Sequence, residues 1–188
     1  MKNSKQKVLC GADVIARDGF ELQGKCGLIT NPTGVLRDLS STVDMLKEKC
    51  NLVALFGPEH GVRGDVYAGG KVSDTKDSAT GLPVYSLYGA TRKPTPEMLK
   101  GVDVMVYDIQ DVGVRSYTFI STLGLVMEAC APLGIEVVVL DRPNPLGGIK
   151  IEGCYVEQPF NSFVSQYRIP YIYGLTVGEL AELIKDSV

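Results

Sequence analysis

Four short apolar runs, each closed by a polar loop, alternate with stretches of helical period, and this pattern constrains the fold more than any other feature. The runs are 26–30, 52–56, 102–107 and 136–140. The second is apolar throughout, as a strand buried on both faces is. Apolar residues recur at helical spacing from Arg115 to Cys130, where Pro132 and Gly134 end the pattern. A final helix opens at Thr176, with Glu179 placed to complete a capping box and Val177, Leu180, Ala181 and Ile184 on one face. Residues 41–44 offer a capping signal ahead of a helical stretch at 45–50. The spacing also predicts a short helix at 95–100 and a short edge strand at 84–88. Strands alternating with helices specify βαβ units, so the expected fold class is α/β: a Rossmann-like, three-layer domain with a mostly parallel sheet.

The 188 residues are enough for one substantial domain and too few for two ordinary ones. No linker or internal repeat interrupts them, so 1–188 reads as a single unit. Nineteen basic against 22 acidic residues leave a net charge of -3 with no basic stripe, which disfavours a nucleic-acid partner. No segment approaches the roughly 18 consecutive apolar residues of a membrane span. The N-terminus lacks the apolar core of an export signal, so the chain as written reads as cytoplasmic and unattached to membrane. Five scattered cysteines without a CxxC pair, and one histidine, fit free thiols in a reducing compartment and give no metal-site pattern. No cofactor is expected: the glycine fingerprint of dinucleotide binding, the phosphate-binding P-loop, the nucleophile elbow and the HExxH zinc motif are all missing.

Ligands of open parallel α/β sheets bind in the crevice at the carboxyl ends of the strands. Four strands here deliver polar groups to that end. Asn31 follows the first and Glu59 and His60 the second. Asp108, Gln110 and Asp111 follow the third, with Arg115 and Tyr117 just beyond, and Asp141, Arg142 and Asn144 follow the fourth. Such a set can bind a sugar, hold a divalent cation, or perform acid–base chemistry on a glycosidic bond. Glu59, between Pro58 and His60 in a glycine-flanked turn, is mounted as a general acid would be, although a loop-capping carboxylate has the same surroundings. Asp108 and Asp111 can equally pair with Arg115 and cap the next helix, and Asp141-Arg142 can be an internal pair in a proline-built turn. Arg63 and Asp65 lie on the long loop after Glu59, either as a surface pair or as contacts for a substrate bearing its own carboxylate.

Six motifs go further: NPTGV at 31–35, LFGPEHGVRGD at 55–65, TGLPVYSLYG at 80–89, YDIQDVGVRSYTF at 107–119, LDRPNPLGG at 140–148 and GLTVGELA at 174–181. In this order and spanning nearly the whole chain, they closely resemble the bacterial exo-β-N-acetylmuramidase family, formerly a domain of unknown function. The resemblance implies a glycosidase that removes N-acetylmuramic acid from the non-reducing end of peptidoglycan fragments during cell-wall turnover and recycling. It implies a Rossmann-like N-terminal catalytic domain, here the whole of 1–188, whose active site lies in a cleft against a C-terminal domain that this chain lacks. The GPEHG glutamate is Glu59, the expected catalytic acid, with Asp108 or Asp111 as the working choice of second carboxylate. Arg63 or Arg115 would meet the lactyl carboxylate of muramic acid. Ser165-Gln-Tyr-Arg168 and Tyr173 depart from the glycine and histidine more usual in relatives. The alternatives are a muramic-acid-binding module without activity, and a metal-dependent hydrolase built on Asp108, Asp111 and Asp141. A surface normally covered by the C-terminal domain would also favour self-association.

Overall fold

The computed structural model describes residues 8–19, 23–64 and 75–187. Its centre is a six-stranded sheet formed by β1 (Lys25–Thr30), β2 (Asn51–Gly57), β3 (Thr75–Lys76), β4 (Pro83–Ser86), β5 (Val104–Asp108) and β6 (Glu136–Val139). The spatial order is β3-β4-β2-β1-β5-β6, with every neighbouring pair parallel except β3–β4. This is the expected α/β class with a mostly parallel sheet. One expectation changes: the 84–88 strand is not an edge, because Thr75 and Lys76 pair antiparallel along its outer side.

Alternation along the strands divides the core between two helical layers. Cys26, Leu28, Leu55, Val104 and Val106 face α1 (Gly11–Asp18) and α2 (Thr42–Lys49), packing on Ala12, Ile15, Val43 and Leu46. Ile29, Phe56, Met105 and Tyr107 face the other way, onto Leu123, Val126 and Cys130 of α3 (Phe119–Cys130). α4 (Val177–Ile184) closes the far side of α3 through a cluster of Ile120, Ile169, Tyr173, Leu180 and Ile184.

The helix ends follow their local chemistry. Ser41 caps α2 by accepting the Val43 amide. At α4 the Thr176 hydroxyl accepts from the Glu179 amide while the Glu179 carboxylate accepts from the Thr176 amide. Glu179 is therefore a capping-box partner. α3 stops where Pro132 opens a 3-10 turn and Gly134 takes a left-handed φ of 66°. Residues 95–100 make turns rather than the expected helix: Leu99 N reaches Thr95 O, but Lys100 N turns back to Glu97 O.

Chain order fixes where a ligand fits. From β1 the chain builds outward through β2 and β4, then returns to lay β5 and β6 on the opposite side of β1. The switch point, and the crevice it opens, therefore lie beyond the carboxyl ends of β1 and β5.

Candidate active site

A cavity of about 510 Å³ occupies that crevice, within the size range of small-molecule sites. Asn31, Pro32 and Thr33 from the end of β1, Glu59 and His60 from the end of β2, and Gln110 and Val112 from the end of β5 line it. Ser116, Tyr117, Thr118 and Phe119 complete the wall at the start of α3. Glu59 is the one carboxylate among these lining residues.

The wall is braced from inside. Asn31 is buried, and its side-chain oxygen accepts from both the amide and the hydroxyl of Thr33. The Thr33 hydroxyl in turn accepts the Gln110 amide at 2.9 Å, joining the β1 and β5 loops. Gln110 donates through Nε2 to the carbonyls of Asp111 and Pro143. His60 adopts a left-handed φ of 74°, rare for a residue with a side chain, and Gly61 follows at 75°. This sharp turn after a buried strand presents Glu59 and His60 to the cavity. Thr118 Oγ1 donates to Glu59 Oε2 at 3.3 Å, and the Tyr88 phenol neighbours the same carboxyl, which raises the phenol's pKa above its ordinary value. Tyr88 falls within the 80–89 motif and Thr118 within the 107–119 motif, but the sequence reading nominates neither as a site residue.

Several other nominated residues have different tasks. Asp108 is fully buried and forms a two-pronged pair with Arg142, Nε to Oδ1 at 2.6 Å and Nη2 to Oδ2 at 2.9 Å. Arg142 Nη2 also donates to Val35 O. Burial works against the Arg142 charge, but the Asp108 carboxylate outweighs it and holds its pKa above the ordinary value. Asp111 is buried, accepting the Tyr173 hydroxyl and the Gly113 amide. Burial raises its pKa, and those two hydrogen bonds only partly oppose the rise. Neither aspartate lines the cavity, so the expected second carboxylate finds no support at Asp108 or Asp111. Asp141 accepts from the Thr176 hydroxyl and the Gly178 amide, anchoring the start of α4. The three aspartates thus serve three separate structural contacts, and no cluster of three or more metal-ligating side chains occurs among the described residues.

Asn144 is also structural. It accepts the Leu146 amide and donates to Leu175 O. Gly113, at φ 77°, leaves room for it: a Cβ there would lie 2.3 Å from Asn144 Oδ1. Arg115 is buried, and its Nη1 donates to Cys154 O and Ile169 O instead of facing the cavity. Asp65 lies outside the described residues.

Arg63 is likewise engaged, pairing with buried Asp77 through Nε at 3.0 Å and Nη2 at 3.1 Å. The Arg63 guanidinium lowers the Asp77 pKa to about 2, aided by Thr80 and opposed by burial. A depressed carboxylate contributes stability above its unfolded value of 3.8 and loses it as pH falls through the folded value. Arg63→Met is therefore expected to lower the thermal midpoint above pH 3.8, with the gap from the parent protein closing towards pH 2. Melting curves across that window check this, and a gap independent of pH contradicts it.

Comparison with known proteins gives the lineage of the chain. Residues 26–188 match the family model described as "Exo-beta-N-acetylmuramidase NamZ, N-terminal". The chain is 56% identical over 187 residues to a Bacillus subtilis (strain 168) protein named peptidoglycan beta-N-acetylmuramidase NamZ, covering 97% of this chain and 45% of the relative. Two crystal structures of DUF1343 family proteins from Bacteroides fragilis NCTC 9343 share the fold. One has a TM-score of 0.88 at 58% identity, over 95% of this chain and 46% of that one. The other has 0.78 at 30%, over 96% and 47%. The chain thus spans about half the length of these relatives, and it belongs to the exo-β-N-acetylmuramidase NamZ family, whose N-terminal part it matches.

Proposed function

We propose that these residues form the N-terminal half of an exo-acting β-N-acetylmuramidase, with Glu59 as proton donor to the departing glycosidic oxygen. The observation that carries the reading is the placement of Glu59, the one carboxylate among the described lining residues, within reach of the Thr118 hydroxyl in the wall of a switch-point cavity. Asn31, His60, Gln110 and Tyr117 would contact the sugar. The substrate is a peptidoglycan-derived saccharide ending in N-acetylmuramic acid, in keeping with the name of the Bacillus relative.

Hydrolysis of a glycoside also needs a group that stabilises or attacks the anomeric carbon. In this reading the C-terminal half of the protein closes the cavity and supplies what this wall does not. In the same reading its docking surface includes exposed apolar residues of 146–171, of which Ile149 is 97% exposed, Phe160 72% and Ile151 61%. Left bare, that surface favours self-association of the 188 residues.

The test uses the two-part protein, these residues joined to the C-terminal half by which the Bacillus relative is longer. Incubated with a fragment capped by N-acetylmuramic acid, it is expected to release that sugar from the non-reducing end alone, as read by mass spectrometry. Internal cleavage would contradict the exo reading, and tight binding without release would make the protein a recognition module.

A further inference from the structure

We propose that Tyr88 and Thr118 are positioning residues for Glu59, two hydroxyls that keep its carboxyl aimed into the cavity in both of its protonation states. The inference rests on the reading of Glu59 as proton donor and adds the machinery that holds it. Thr118 stands at the N-cap of α3, where a threonine hydroxyl ordinarily accepts an amide of the first helical turn. Here it makes no such cap. It turns instead to Glu59 Oε2, while its carbonyl anchors the helix by accepting the Thr122 amide at 3.0 Å. The Thr118 backbone is helical, φ -74° and ψ -7°, rather than extended as at a capping threonine, and the hydroxyl's contact lies 59 residues away in sequence.

Tyr88 is mounted just as firmly. Ser86 Oγ accepts the Tyr88 amide and donates to the Tyr88 carbonyl. Leu87 N donates to Gly57 O at 2.8 Å, extending the β4–β2 pairing up to the turn that carries Glu59. The neighbouring carboxylate raises the Tyr88 pKa above its ordinary value, so the phenol keeps its proton to donate.

The choice of hydroxyls has a chemical reason. A hydroxyl donates to a carboxylate and accepts from a carboxylic acid, so the contact survives when Glu59 gives up its proton and when it regains one. A guanidinium or ammonium would favour the ionised form and oppose a proton donor. No such ion pair to Glu59 occurs among the described residues.

Leaving-group dependence separates positioning of a proton donor from general damage. A sugar leaving group needs protonation to depart, whereas a polynitrophenolate does not. In the two-part protein, Tyr88→Phe and Thr118→Val are each expected to lower kcat on a muramyl disaccharide roughly 10- to 100-fold. KM should stay constant, and the polynitrophenyl glycoside should be hydrolysed at nearly the parent rate. Thr118→Ser, which keeps the hydroxyl, should restore turnover of the disaccharide. Equal losses on both substrates, or no loss on the disaccharide, would overturn the proposal; if Thr118→Val fails to fold, Tyr88→Phe alone decides. Glu59→Gln is run beside them. If it shows the leaving-group pattern and the hydroxyl variants do not, positioning fails alone; if Glu59→Gln lacks the pattern, the proton-donor reading fails and takes the positioning with it.

Discussion

Arg142→Met is expected to lower the stability of the domain by about 3–5 kcal/mol, the cost of leaving a buried charge without its partner. In a chain of this size that corresponds to a fall in thermal midpoint of about 6–20 °C. The reason is geometric. Asp108 is 0% exposed and Arg142 7%, and the guanidinium meets both carboxylate oxygens while also satisfying Val35 O. Removing it strands Asp108 at the end of the central strand pair β1–β5, beside the Thr30 hydroxyl that bonds the Asp108 carbonyl. Asp108→Leu combined with Arg142→Met should recover much of the loss, because an apolar pair of similar volume needs no charge compensation. Differential scanning calorimetry of the single and double variants measures this. A midpoint for Arg142→Met within 2 °C of the parent would show that the pair is dispensable.

This pair also shows where sequence reading runs out. The strands were legible because burial on both faces leaves continuous apolar runs such as Leu52 to Phe56, and the strand-end rule points to Asn31, Glu59, His60, Gln110 and Tyr117, all of which line the switch-point cavity. Which polar residue at a strand end faces the ligand and which is consumed inside depends on partners far away along the chain. Arg142 meets Asp108 across 34 residues and Tyr173 meets Asp111 across 62. Local patterns carry no record of such pairings. Thr118 is hidden for a related reason, since an N-cap threonine looks the same whether its hydroxyl caps the helix or reaches a distant carboxylate. The turns at 95–100 differ from the expected helix because the segment has too few residues to continue past its first reversal, and Gly101 follows at φ 78°. α1 gives little signal of its own: Gly11 packs against the Leu140 backbone, where a Cβ would lie 2.7 Å from Leu140 Cα, and its amide bonds Asp141 O. That helix start is defined by tertiary contact.

Glu59→Gln is expected to lower kcat on a substrate with a sugar leaving group by about 10²- to 10⁴-fold, the usual contribution of a positioned acid or base. The amide keeps the size of the side chain and can still accept from the Thr118 hydroxyl, so the cavity and KM should change little. What it removes is the acidic proton of the carboxyl group. The loss should therefore appear in turnover and leave substrate binding in place. Because Glu59 is half-buried in a turn and joins no ion pair among the described residues, the substitution should leave the thermal midpoint almost unchanged, in contrast to Arg142→Met.

The most direct test of the central claim, that the switch-point cavity is a glycosidase site centred on Glu59, is steady-state turnover of a muramyl disaccharide by the two-part protein with glutamate or glutamine at position 59. The account predicts readily measured release of N-acetylmuramic acid by the parent protein and at least a hundredfold lower kcat, at similar KM, for Glu59→Gln. Undiminished turnover by a folded Glu59→Gln protein would contradict it and place the chemistry elsewhere.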